Sequence, residues 1–114
     1  MRIFRCDHNK NGFFEGPLIL QPEIHKDKRG YFFESWNMKK FNQVLQRQIK
    51  FVQDNQSISN KGVLRGMHYQ TSPLAQGKLV SCSNGSVFDV IIDLRKSSKT
   101  FSFWAGIELK ACNF

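Results

Sequence analysis

The stretch GVLRGMHYQ, residues 62–70, places side chains that can do chemistry among side chains that suit a β-strand. Because side chains alternate along a strand, one face of this stretch would carry Leu64, Gly66, His68 and Gln70. The glycine leaves open space beside the imidazole. An imidazole has an ordinary pKa of about 6.5 and is therefore suited to proton transfer. His68 is therefore a candidate for proton transfer; a histidine kept for structural reasons is the alternative.

A lysine follows at a distance that fits the same chemistry. Lys78 comes after the short loop Ala75-Gln76-Gly77, so its ammonium group could point into the cavity beside His68. An ammonium group there can stabilise a developing oxyanion. The spacing is equally compatible with a solvated lysine at the edge of a strand.

The histidine pattern argues against a metal site. His8, His25 and His68 show neither HxH nor HxxxH spacing, and Gln70 stands where a metal-binding cupin would carry its second histidine. A metal would need ligands from distant loops. We therefore expect no metal.

Three cysteines, Cys6, Cys82 and Cys112, show no CxxC spacing and none lies beside a histidine. This pattern favours neither a disulfide framework, nor a zinc site, nor a nucleophilic cysteine. We expect reduced, partly buried thiols.

The charge balance predicts an anionic partner. Seventeen Lys and Arg against nine Asp and Glu give a net charge of +8, but the basic residues are scattered, without a basic block or a helix-turn-helix pattern. A phosphorylated small molecule is therefore favoured over nucleic acid, and a merely soluble basic surface is the alternative. The sequence has no apolar run of membrane-spanning length and no signal-peptide h-region at its start. We expect a cytoplasmic protein that does not bind membranes.

The chain of 114 residues predicts a single domain, residues 1–114, that buries roughly 65% of its unfolded surface. Residues 16–36 resemble a hairpin around the charged turn 25–30. Residues 37–48 predict one helix, with Asn37 as its N-cap.

Further strands are predicted after the helix, at residues 51–59, 63–69, 78–83, 86–94 and 101–109. Asn84-Gly85 predicts a tight hairpin turn between two of them, and residues 95–100 form a polar loop. Short strands with one helix are typical of an antiparallel sandwich or barrel.

Five motifs together resemble one family, the dTDP-4-dehydrorhamnose 3,5-epimerases. They are KDKRGYFFESW (26–36), FVQDNQSIS (51–59), GVLRGMHYQ (62–70), AQGKLV (75–80) and GSVFDVIIDLRKSSKTF (85–101). The resemblance implies a mostly β, cupin-type jelly roll with one short helix. It also implies a homodimer whose N-terminal strands cross to the partner subunit, and an isomerase that needs no cofactor.

The resemblance also implies roles for single residues. His68 would remove the protons at carbons 3 and 5 of a dTDP-4-keto-6-deoxy sugar, and Lys78 would donate to the resulting enolate oxygen. Arg65 would hold the substrate, and Gln53 and Asn55 would contact the nucleotide sugar.

Arg29 and Glu34 match two residues of the family that reach across the dimer to the nucleotide of the substrate. Phe32 and Phe33 would lie beside them. Arginine suits a pyrophosphate because its planar fork grips two oxygens.

The sequence departs from the family pattern in two places. Gln56 stands where the family usually has histidine, and the resemblance ends after FWAGIEL (103–109). Beyond that point the family has a tyrosine that returns a proton from the opposite face, an acidic partner for the base histidine, and a further lysine. We therefore expect a C-terminally truncated epimerase that carries the base half of the site and forms little or no epimer alone. The alternative is a non-catalytic module that binds a nucleotide sugar.

Overall fold

A computed structural model describes residues 1–111 of the chain. In this part the structure has one helix and six strands: β1 Arg2–His8, β2 Gly12–Gln21, β3 Ile24–Asp27, β4 Gly30–Phe33, α1 Met38–Leu45, β5 Ser86–Ile92 and β6 Trp104–Lys110. The predominance of short strands with a single short helix agrees with the predicted fold class.

The strands pair as three antiparallel ladders, β1 with β2, β3 with β4, and β5 with β6. β1 also contacts β6, and Asn9 fixes this junction. Its backbone N–H donates to the carbonyl of Trp104 at 2.9 Å, and its side-chain oxygen accepts from the N–H of Trp104 at 3.0 Å. One backbone and one side-chain hydrogen bond of Asn9 therefore join the first ladder to the last.

The main core lies where these two ladders meet. Cys6, Phe14 and Ala105 are buried together, with Ile91 and Phe103 packed against them. This core is small for a chain of this length, since most other large apolar residues stay partly or largely exposed.

Two local predictions are confirmed. The hairpin within residues 16–36 is formed by β3 and β4, although its turn is limited to Lys28 and Arg29. Gly30 pairs with Asp27 and has a φ of +136°, which only glycine adopts without strain. The predicted helix forms as α1, and the side chain of Asn37 accepts from the N–H of Lys40 at 3.1 Å, as an N-cap does.

The strand predictions for residues 51–59, 63–69 and 78–83 are wrong for the described chain, which has no regular structure there. The Asn84-Gly85 hairpin is wrong as well, because β5 pairs along its length with β6, from Ser86 opposite Lys110 to Ile92 opposite Trp104. A strand is stabilised by hydrogen bonds to a neighbour, so a suitable local pattern forms no strand where no neighbour lies beside it.

The long connection between α1 and β5 leaves much of the chain in water. Every residue from 52 to 81 is exposed. The accessible surface is 10237 Å², whereas a compact protein of this size exposes about 6,400 Å². Folding therefore buries about half of the surface of the unfolded chain, less than the roughly 65% that was predicted. The radius of gyration, 15.6 Å, likewise exceeds the value of about 13 Å typical of a compact domain of this length.

Candidate active site

His68 and Lys78, the two predicted catalytic residues, lie on the exposed connection between α1 and β5. Within residues 1–111 neither side chain has a hydrogen-bonding or ionic partner. The structure therefore leaves both groups open to solvent and does not enclose them in a cavity.

Arg65 lies on the same connection but is held by the chain. Its Nε donates to the hydroxyl of Ser59 at 2.9 Å, and Nη2 donates to the carbonyl of Ile58 at 3.4 Å. These hydrogen bonds link Arg65 to the residues before the turn at 60–63. Within that turn the N–H of Val63 donates to the carbonyl of Asn60 at 3.3 Å. Part of the guanidinium remains available, because it has five N–H donors.

Gln53 and Asn55 point to the same side of the extended chain. The amide nitrogen Nε2 of Gln53 donates to Oδ1 of Asn55 at 3.1 Å. Residues two apart share a face in an extended segment, so the two amides form one polar patch with free donors and acceptors. The structure thus brings together two of the predicted substrate-binding residues.

Arg29 stands at the tip of the β3–β4 hairpin with its side chain 91% exposed. Its guanidinium donates to Oδ2 of Asp27 through Nε at 3.0 Å and Nη2 at 2.6 Å, and its backbone N–H donates to Oδ1 at 2.8 Å. These hydrogen bonds lower the pKa of the Asp27 carboxyl. The arginine is thus oriented by an aspartate that an incoming anion would have to displace.

Glu34 serves the start of α1. Its carboxylate accepts from Nδ2 of Asn37 at 3.0 Å and lies 3.1 Å from Nζ of Lys40. Both contacts lower the pKa of Glu34, the Asn37 hydrogen bond most. The residue predicted to reach a nucleotide across a dimer therefore supports the N-cap of the helix within this chain.

A second, aromatic core anchors the start of the exposed connection. Phe41 on α1 is 4% exposed. Its ring lies 4.8 Å from that of Trp36 and 5.7 Å from that of Phe51. The N–H of Ile49 also donates to Oδ1 of Asn42 at 2.8 Å. Together these contacts fix the chain just before the predicted substrate-binding residues.

The sequence analysis missed a buried carboxylate at the end of β5. The side chain of Asp93 is 3% exposed and lies 2.8 Å from Nη2 of Arg95. It also accepts from the hydroxyls of Ser98 at 2.6 Å and Thr100 at 2.7 Å. The Arg95 hydrogen bonds lower the pKa of Asp93 most strongly, and the hydroxyl donors lower it further. An aspartate directly after an apolar strand, followed by Arg, Ser and Thr, was the available signal.

The thiols of the described chain are free, as predicted: Cys6 is buried and Cys82 is partly buried. Burial raises the pKa of the Cys6 thiol, and nearby Asp7 adds to the effect. Cys112 lies outside the described residues. Among residues 1–111, His, Cys, Asp and Glu form no group of three that could hold a metal ion. No helix in that range has the length and apolar character needed to cross a bilayer.

Comparison with known proteins places these features in one family. A family model described as dTDP-4-dehydrorhamnose 3,5-epimerase matches residues 13–114. The epimerase of Shigella flexneri is 56% identical over 96 residues, which are 84% of this chain and 53% of that protein. The epimerase of Escherichia coli K12 is 48% identical over 99 residues, covering 87% and 54%. The chain thus spans about half the length of the curated relatives it matches.

Solved structures agree. The epimerase of Legionella pneumophila in complex with dTDP-4-keto-L-rhamnose has a TM-score of 0.82 and 43% identity, covering 96% of this chain and 56% of that one. The epimerase of Bacillus anthracis, solved with TDP and PPi bound, has a TM-score of 0.77 and 44% identity, covering 84% and 54%.

The strands and the helix of this chain are therefore those of a cupin-type jelly roll. More specifically, the chain belongs to the dTDP-4-dehydrorhamnose 3,5-epimerase family.

Proposed function

We propose that this protein takes part in the epimerisation of a dTDP-4-keto-6-deoxyglucose at carbons 3 and 5, a step in the synthesis of dTDP-L-rhamnose and so of surface polysaccharide. The observation that supports this most is the family match over residues 13–114. The ligand of the Legionella pneumophila relative, a dTDP-4-keto sugar, has the same chemical class as the proposed substrate.

The chemistry follows from the ketone at carbon 4 of the sugar. The ketone acidifies the hydrogens at carbons 3 and 5, so a general base can remove either proton and leave an enolate. We assign the base to His68 and the stabilisation of the enolate oxygen to Lys78. Inversion requires that the proton return from the opposite face, and none of the residues proposed for the site supplies that acid. No cofactor is needed, because the substrate's own carbonyl accepts the charge.

The nucleotide end of the substrate requires cationic and amide groups. We assign the pyrophosphate to Arg29 and a further nucleotide contact to Glu34. We assign the other substrate contacts to Arg65 and to the amide patch of Gln53 and Asn55. The exposed guanidinium of Arg29 and the hydrogen bond within the amide patch support these roles.

A homodimer with exchanged N-terminal strands completes the proposal. β1 and β2 carry large apolar side chains that are strongly exposed, Phe4 at 45% and Phe13 at 56%, and a partner subunit would cover them. A cytoplasmic location suits the free thiols of Cys6 and Cys82, which persist in reducing compartments.

Solvent deuterium uptake tests the proposal. The purified chain is incubated with the dTDP-4-keto sugar in heavy water, and NMR reads deuterium at carbon 3 and the ratio of epimers. We expect slow deuterium uptake with little epimer, and its loss in His68→Ala by about 10²–10⁴-fold. His25→Ala is the control, since His25 is an exposed histidine on β3.

Uptake that persists in His68→Ala would remove the histidine from the mechanism. Rapid formation of the 3,5-epimer by this chain would show that other residues supply the second proton. Binding of the nucleotide sugar without any exchange would favour a binding module.

A further inference from the structure

The chain contains two Asn-Gly pairs, Asn11-Gly12 and Asn84-Gly85. In such a pair the backbone nitrogen of the glycine can attack the side-chain amide of the asparagine, because glycine has no Cβ to obstruct the approach. In an unfolded chain both pairs are open to this reaction. In the folded protein their surroundings differ.

The fold restrains the first pair, which connects the β1–β2 turn to β2. The N–H of Asn11 donates to the carbonyl of His8 at 3.2 Å. Gly12 pairs with His8 in the β1–β2 ladder, and Nε2 of His8 lies 3.0 Å from the position that a Cβ would occupy on Gly12. The imidazole ring therefore covers this glycine. Rotation of the glycine backbone into a geometry of attack requires local opening of the ladder.

The second pair lies in the bend before β5, where Asn84 and Gly85 are both exposed. Apart from its two chain neighbours, no atom of the described residues lies within 4 Å of the position that a Cβ would occupy on Gly85. Within residues 1–111 the backbone N–H of Gly85 has no hydrogen-bond acceptor. Connections to strands run over the surface of a domain, so this exposure belongs to the bend itself. The attacking nitrogen is therefore free and its path is open.

We propose that Asn84 is a site of spontaneous deamidation in the folded protein, and that the product loosens the end of the β5–β6 ladder. The backbone nitrogen of Gly85 loses its proton to solvent base and bonds to Cγ of Asn84, and the side-chain nitrogen leaves as ammonia. The product of this step is a cyclic succinimide. Water then adds to one of its two carbonyls and opens the ring, which leaves either aspartate or isoaspartate. The reaction consumes one water, releases one ammonia and involves no redox step.

Isoaspartate changes the connection to β5. The backbone then runs through the former side chain and gains one carbon, while the former main-chain carbonyl becomes a free carboxylate. Next to it the carbonyl of Gly85 accepts from the N–H of Ala111 at 3.1 Å, at the end of the β5–β6 ladder. The carbonyl of Asn84 accepts from Sγ of Cys82 at 3.2 Å. Both contacts depend on the spacing of the backbone, so a longer backbone weakens them.

Peptide mapping by mass spectrometry tests the site. The intact chain is incubated at mildly alkaline pH, and the conversion of Asn84 and of Asn11 is followed in the same digests. We expect Asn84 to react at least about tenfold faster than Asn11, because attack at Asn11 requires local opening of the ladder. Fragmentation that distinguishes the two acids should identify isoaspartate at position 84.

Incubation in urea separates the effect of structure from that of sequence. Both Asn-Gly pairs are then open, so the two rates should agree to within about threefold. In the folded protein, Asn84→Gln keeps an exposed amide but requires a larger ring, and it should stop conversion at this position without changing the rate at Asn11.

Amide hydrogen exchange at Ala111 measures the consequence. We expect exchange to become several-fold faster in the isoaspartate form. Freshly purified Asn84→Asp is the control for charge, because it carries the same negative charge on a normal backbone. Its exchange at Ala111 should equal that of the parent.

Three results would overturn the inference: equal rates at Asn84 and Asn11 in the folded protein, a rate difference that persists in urea, or unchanged exchange at Ala111 in the isoaspartate form. None of these results bears on the proposed function, whose residues lie elsewhere in the chain.

Discussion

Arg95 forms a bidentate ion pair with the buried carboxylate of Asp93. Nε lies 2.9 Å from Oδ1, and Nη2 lies 2.8 Å from Oδ2. The same Nη2 donates to the carbonyl of Glu15 on β2 at 2.8 Å. One ion pair therefore closes the loop after β5 and ties that loop to the neighbouring ladder, next to the core residue Phe14.

Replacing Asp93 by asparagine should destabilise the protein. Asp93→Asn keeps the shape of the side chain but loses the charge-assisted hydrogen bonds, each worth about 1.5–3 kcal/mol. We expect the free energy of unfolding to fall by about 2 kcal/mol or more in urea titrations. Asp89→Asn is the control, since Asp89 lies on β5, four residues before Asp93, and its side chain has no hydrogen bond or ion pair within residues 1–111. Equal losses in both variants would contradict a special role for the Asp93 network.

The Asp93 network should also make stability depend on pH in the acid range. Its pKa is lowered in the folded protein, so the stabilisation is fully present above the unfolded value of about 3.9 and is lost as the pH falls below it. Unfolding measured between neutral pH and strongly acidic pH should show this loss in the parent. Asp93→Asn should flatten the dependence, leaving the smaller contributions of exposed Asp27 and Glu34. An unchanged slope in the variant would show that other carboxyl groups carry the effect.

Removing the Phe41 ring should release the start of the exposed connection. Phe41 is 4% exposed and contacts both Trp36 and Phe51, and truncation of a buried phenylalanine costs about 3–5 kcal/mol. We expect Phe41→Ala to lower stability strongly and to speed amide exchange at Ile49. Phe32→Ala should have little effect, because Phe32 is 71% exposed. A mild effect of Phe41→Ala would mean that the aromatic contacts are not a core.

Asp27 should compete with a diphosphate for Arg29. Asp27→Asn removes the negative charge that holds the guanidinium, so thymidine diphosphate should bind a few times more tightly and raise the melting temperature further than in the parent. Arg29→Ala and Arg65→Ala should each weaken binding, since a charge-assisted contact contributes about 1.5–3 kcal/mol. Glu108→Gln is the charge control, because Glu108 forms an exposed pair with Lys110 elsewhere. Identical binding in the parent and both arginine variants would exclude Arg29 and Arg65 from the nucleotide site.

Local sequence was sufficient where the stabilising partners are close in the chain. The hairpin of β3 and β4 and the helix α1 were predicted, because Gly30 and Asn37 act on backbone groups a few residues away. The motifs around Arg65, His68 and Lys78 likewise indicated the family directly, since they depend on residue identity and order rather than on packing.

Only the tertiary structure decided which strand-like runs become strands. Residues 78–83 and Asn84-Gly85 have the local pattern of a hairpin, yet β5 pairs with β6, which lies later in the chain and packs Ala105 against Cys6 and Phe14. The sequence showed the residues of the Asp93 network, an aspartate after an apolar strand followed by Arg, Ser and Thr, but not that the aspartate is buried and bound by them. Strand pairing and buried charge both depend on groups brought together from a distance, and a single sequence specifies the groups without specifying which of them meet.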